Sequence, residues 1–179
     1  MRIRNIFYIL FITVFLASCS SSKYAVQKER GGQTYEQPKE KKKRNKSSKN
    51  KEAKKIIDYA SKFKGVRYKY AGNTPKGFDC SGYVQYVFRN FDYILPRSST
   101  DQSKIGKNIN KKDLEPGDLV FFKGTKSSKV GHVGIVVEIY NDNSFKFIHV
   151  SSNRGVVEDY STTNYWAQRY LRARRILSG

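Results

Sequence analysis

The stretch Gly77-Phe78-Asp79-Cys80-Ser81-Gly82-Tyr83-Val84-Gln85-Tyr86-Val87-Phe88 constrains this chain more than any other. Apolar side chains at Tyr83, Val84, Val87, Phe88 and Phe91 recur at the spacing of a helix with one packed face. Asp79 is a residue type that caps such a helix, because its carboxylate accepts from the orphan N–H groups of the first turn. Gly77 supplies the freedom to turn into it. Cys80 therefore opens a buried helix, where free N–H groups and the positive end of the helix dipole favour a thiolate. Cysteines so placed have pKa values of about 3.5–7.5 instead of about 8.5, so a lowered value is expected here.

A thiolate nucleophile needs a base, and the chain holds only two histidines, His132 and His149. Both follow Cys80 and both fall in strand-like sequence. A cysteine, a histidine and a second polar group that orients the first imidazole form the nucleophile–base–orienter arrangement of thiol catalysis. Taken singly, each is more often a small core residue or a satisfied polar group. Together, with the cysteine at a capped helix start, they favour the catalytic arrangement.

The N-terminus is set apart from the fold. Arg2 and Arg4 precede an apolar run from Ile6 to Ala17, too short to span a bilayer, which takes about 20 residues, but suited to a secretory signal. Its ending, Leu16-Ala17-Ser18-Cys19, resembles a bacterial lipobox. That resemblance implies a signal peptide over 1–18, cleavage before Cys19 and lipidation of Cys19. Cys80 is then the one thiol of the mature chain, and no disulfide is available to a monomer even in an oxidising compartment. Residues 20–50, with Ser20-Ser21-Ser22, Gly31-Gly32 and the basic run Lys39–Arg44, are too polar to repay ordering and are expected to form a disordered tether. Its span would be roughly 30 Å as a coil and roughly 100 Å when taut.

Residues 51–179 have the composition of one domain. Ala53, Ile56, Ile57, Ala60 and Phe63 share one helical face, and Gly65 is suited to stop that helix. A short helix is expected at Thr100–Ile105, capped by Ser99. Beyond it the period changes to that of strands. Glu115-Pro116-Gly117-Asp118 is patterned as a type II turn. Strands are expected at Leu119–Phe122, Val130–Tyr140, Phe145–Val150, Val156–Tyr160 and Arg169–Ile176, with turns at Asn141–Asn143 and Asn153–Gly155. Helices first and strands after predict an α+β fold with an antiparallel sheet of about five strands. Pairing through Asn141–Asn143 sets His132 beside His149, on the face expected to receive the Cys80 helix.

From about residue 52 to 178 the chain resembles the NlpC-type cell-wall cysteine peptidases, a compact papain-like superfamily. The matching segments are Gly65–Gly72, Phe78–Gly82, Leu95–Ser99, Pro116–Phe122, Gly131–Ile135 and Ile148–Ser151, in the family's order. The resemblance implies hydrolysis of peptidoglycan stem peptides with no metal and no cofactor. It assigns Cys80 as nucleophile, His132 as base and His149 as the orienting residue. Tyr68 matches a tyrosine lining the catalytic pocket, and Asp79 and Ser81 match positions that help hold substrate. Ala71 departs from the pattern, standing where the first glycine of a pair is usual.

Two other classes compete. A metal hydrolase would use Cys80, His132 and His149 around zinc, although no short ligand spacing supports it. A non-catalytic wall- or polyanion-binding lipoprotein is suggested by the net charge of +20. That excess is spread over tether and domain, with no nucleic-acid motif, which favours attraction to anionic lipid or envelope polymers. The expected setting is a monomer held by lipid at a bacterial membrane, facing periplasm or wall.

Overall fold

The computed structural model describes residues 46–125 and 127–177. The expected signal peptide, Cys19 and most of the expected tether lie outside them. Helix α1 (Lys46–Ser61) opens the described chain and starts inside the segment expected to be tether. It buries Ala53, Ile56 and Ala60. Helical turns carry it on to Gly65, whose φ of 85° is left-handed. There the Gly65 N–H donates to Val156 O at 2.9 Å, tying the following loop to the sheet.

A two-residue hairpin, β1 (Asn73–Thr74) with β2 (Gly77–Phe78), leads into α2 (Cys80–Arg89). Asp79 caps α2 as its side-chain chemistry predicts, accepting from the Gly82 N–H at 2.7 Å. Tyr83, Val84, Val87 and Phe88 are fully buried, and the Tyr83 hydroxyl donates to Ala60 O at 2.9 Å, locking α2 to α1. The short helix α3 occupies Ser99–Gln102, not Thr100–Ile105. Its cap is Ser98, whose Oγ accepts from the Asp101 N–H at 3.1 Å while its hydroxyl donates to the Asp101 carboxylate.

Among the described residues the main sheet has six antiparallel strands in the order β3-β8-β4-β5-β6-β7. Five match the sequence pattern: β4 (Leu119–Lys123), β5 (Val130–Ile139), β6 (Phe145–Ser151), β7 (Gly155–Tyr160) and β8 (Tyr170–Arg175). The sixth, β3 (Lys107–Ile109), is a short edge strand paired with β8. Gly117, with φ 90°, makes the turn into β4, where the Asp118 N–H donates to Glu115 O. Both faces of the sheet are covered. Leu119, Phe121, Val133, Ile135, Ile148 and Val150 pack against α1 and α2. Val120, Phe122, Val136, Phe145, Phe147 and Ala173 pack under Trp166 of the four-residue helix α4 (Asn164–Ala167).

This second layer corrects one expectation. His132 and His149 share a sheet face, but it is the face under Trp166, not the one that receives α2. The pleat is the reason, since Val133 points toward α2 and its neighbour His132 must point the other way.

Candidate active site

The N-terminus of α2 reaches the sheet at the start of β5. The backbone groups of Val133, Ser81 and Cys80 itself act on the Cys80 thiol to lower its pKa. His132 precedes Val133 on β5. Cys80, His132, His149, Tyr68, Asp79 and Ser81 thus all line one open cleft of about 930 Å³. Every site residue expected from the sequence, Cys19 apart, is brought together there.

His132 Nε2 and His149 Nδ1 are 3.0 Å apart, a diagonal pair, since His149 stands directly opposite Gly134. His149 is 1% exposed, and its ring stacks on Phe147 at 5.0 Å. His132 is half-buried and lies against the Trp166 indole at 5.1 Å and 29°. On its far side His149 Nε2 lies 3.0 Å from Oδ2 of Asp159. The same oxygen accepts from Trp166 Nε1 at 3.0 Å and from Arg154 Nη2 at 2.6 Å. Both ring nitrogens of His149 are therefore engaged by protein groups, which leaves this ring no donor for a zinc site of the kind weighed above.

Asp159, Trp166 and Arg154 were not picked out from the sequence. A signal for Asp159 existed. Pairing β6 with β7 through the Asn153–Gly155 turn sets Phe147 opposite Asp159 and His149 opposite Val157, placing the carboxylate diagonal to the imidazole. Helix α4 is too short to show a periodic pattern, so Trp166 had none.

Burial, and then the nearby Asp79 carboxylate, push the Cys80 thiol up to about 11, while those backbone groups act to lower it. The expected lowering by the helix start is real but outweighed. Burial, followed by the charges of His149 and Arg169, pushes His132 down to about 3. The resting pair is therefore a neutral thiol beside a neutral imidazole, so the proton must move during attack.

Asp79 and Ser81 are occupied by one another. Arg97 Nη1 donates to Asp79 Oδ1 at 3.0 Å and to Ser81 Oγ at 3.1 Å, and the Ser81 hydroxyl donates to Asp79 Oδ1 at 3.2 Å. Arg97 Nη2 also pairs with Asp79 Oδ2. This network holds the start of α2 and partly neutralises the carboxylate beside the thiol. Gln102, fully buried, donates from Nε2 to Ser81 O and Pro96 O and pins the same end of the helix. Tyr68 is 39% exposed, and burial followed by the Asp79 and Cys80 charges raises its pKa, so it presents a neutral phenol to the cleft.

Residues 65–175 match the model of the NlpC/P60 family. The murein DD-endopeptidase MepS/murein LD-carboxypeptidase of Escherichia coli (strain K12) is 41% identical over 124 residues, covering 69% of this chain and 62% of that protein. The probable endopeptidase NlpC of the same organism is 42% identical over 122 residues, covering 68% of this chain and 76% of its own. A solved structure of an NlpC/P60 family protein from Bacillus cereus superposes with a TM-score of 0.64 at 31% identity, over 70% of this chain and 40% of that one. The chain thus spans less than two thirds of the first of these relatives.

Proposed function

The chain belongs to the NlpC/P60 family, and because a cysteine at a helix start shares one cleft with a histidine, we propose that it is a cysteine peptidase hydrolysing amide bonds in peptidoglycan stem peptides. The observation that carries this reading is that Cys80, at the start of α2, and His132, on β5, line one cleft. His132 takes the thiol proton as the sulfur attacks the amide carbonyl. The developing oxyanion meets the Cys80 backbone N–H with Tyr68 at hand, and such donors are worth about 2.7–4 kcal/mol each. The imidazolium then protonates the leaving amine, and the neutral imidazole activates the water that releases the thioester. His149 orients His132. The names of the relatives, a murein endopeptidase and a probable endopeptidase, agree with this substrate class.

The same proposal holds the domain in the cell envelope through lipid on Cys19, with the basic tether between lipid and domain. Incorporation of labelled palmitate that is lost in Cys19→Ala would support the anchor, and an unlabelled parent would refute it. For the activity, the test is incubation with purified muropeptides and mass analysis of the products. Cleavage at a stem-peptide amide supports the proposal, and intact muropeptides refute it.

A further inference from the structure

Asp159 has no part in the chemistry so far, yet three donors converge on one of its oxygens beside the histidine pair. An ionised carboxylate only accepts hydrogen bonds. Burial acts to raise its pKa, but the bonds from His149, Arg154 and Trp166 hold it well below the usual carboxylate range. His149 Nε2, at 3.0 Å from Oδ2, must then carry a hydrogen. In the neutral ring that leaves a lone pair on Nδ1, which at 3.0 Å accepts from the Nε2–H of His132. The remaining lone pair falls on His132 Nδ1, the one ring nitrogen of the two histidines without a hydrogen-bond partner among the described residues.

We propose that Asp159 is a positioning residue that sets the tautomers of both histidines through two successive hydrogen bonds, leaving the free lone pair on the His132 nitrogen available to the Cys80 thiol. The assignment of Cys80 and His132 as nucleophile and base, on which this rests, comes from the proposed function. Without the carboxylate the opposite order is open to the pair: His149 donating from Nδ1, His132 accepting at Nε2, and a hydrogen on His132 Nδ1. That ring is a donor and cannot take a proton from sulfur. Arg154 and the Trp166 indole hold the carboxylate in place, since both can only donate to it. When His132 takes the thiol proton at Nδ1, its Nε2–H still donates to His149. The Asp159 charge then favours the imidazolium, against burial and the Arg169 charge.

The chain has two histidines, so histidine-labelled full-length protein gives two imidazoles in a nitrogen NMR spectrum. The parent is expected to show both rings protonated at Nε2. In Asp159→Ala the His149 ring becomes a mixture of tautomers and His132 follows. On muropeptides kcat falls by about tenfold or more with KM changed less than about threefold. Asp159→Asn can keep an oxygen where the three donors converge, so it retains the tautomers and more of kcat than Asp159→Ala. A parent with His149 protonated at Nδ1 would overturn the proposal. So would an Asp159→Ala protein that melts lower but keeps both tautomers and the parent kcat, the result of a merely structural role. Because the tautomers are read without turnover, a parent that cleaves no muropeptide would refute the proposed substrate while the spectra still decide the role of Asp159.

Discussion

Gly134 joins the fold to the histidine pair, and Gly134→Ala tests both at once. It is buried on β5 directly opposite His149. A Cβ there would stand 2.6 Å from Phe147 Cδ2, 3.0 Å from Ile148 O and 3.2 Å from His149 Cβ. Carbon atoms settle at about 3.5–4.0 Å, so something must give way. The Ile148 carbonyl belongs to the β5–β6 pairing and has little freedom. The Phe147 ring must move, yet it stacks on His149 at 5.0 Å and packs on Phe122 at 4.9 Å. Overpacking of this kind costs about 1–3 kcal/mol. For a domain of this size that lowers Tm by roughly 3–12 °C. The displaced His149 ring also lengthens its bonds to His132 and Asp159, and loss of one oriented hydrogen bond lowers kcat by about tenfold. Circular-dichroism melts and muropeptide turnover measure the two effects on one variant. A Gly134→Ala protein with the parent's Tm and kcat would refute the packing argument and, with it, the dependence of turnover on the His149 position.

Ala71 adopts a left-handed φ of 55° at an exposed position, and such a conformation costs an L-residue about 1–2 kcal/mol. Ala71→Gly, which restores the residue usual in the resembled family, should stabilise the domain by up to about 1 kcal/mol after the flexibility of glycine in the unfolded chain is offset. A denaturant midpoint that falls would contradict this. Because burial and Asp79 push the Cys80 thiol up to about 11, the group stays protonated below that value and ionises as pH rises through it. Thiolate absorbance should therefore be absent at neutral pH and appear only in the alkaline range; a signal at pH 7 that vanishes in Cys80→Ala would show a resting thiolate instead. Arg97→Gln strips the cation from Asp79, leaves more negative charge beside the sulfur and should slow alkylation of Cys80 at neutral pH. Faster alkylation would contradict the screening role.

Much of this was legible in the sequence where local chemistry decides structure. Asp79 and the Tyr83–Phe88 stripe specify a capped, one-faced helix whatever surrounds it. Gly117 and the alternating apolar residues define β4 through β7 almost to the residue. The nearness of His132 to His149 followed from a hairpin with a short turn. What failed was long-range. The side of the sheet on which the histidines lie depends on two layers competing for its faces, and α4 is too short to announce the second layer. The thiol pKa departs from the value expected of a helix start because that start is visible locally, whereas burial by the fold and the placement of the Asp79 carboxylate are not. Asp159 escaped notice because its role depends on register across β6 and β7. Cys19 and most of the expected tether fall outside the described residues, while α1 begins at Lys46, inside that segment.

The proposed hydrolysis rests on Cys80 as a nucleophile that works without a metal. Its most direct test is turnover of purified muropeptides by the parent and by Cys80→Ser, side by side, in strong chelator. A serine keeps the shape of the helix start but loses the accessible anion. Full activity is expected of the parent and none of a Cys80→Ser protein that melts like it. Parent activity lost in chelator and restored by zinc, or products released by Cys80→Ser, would contradict this.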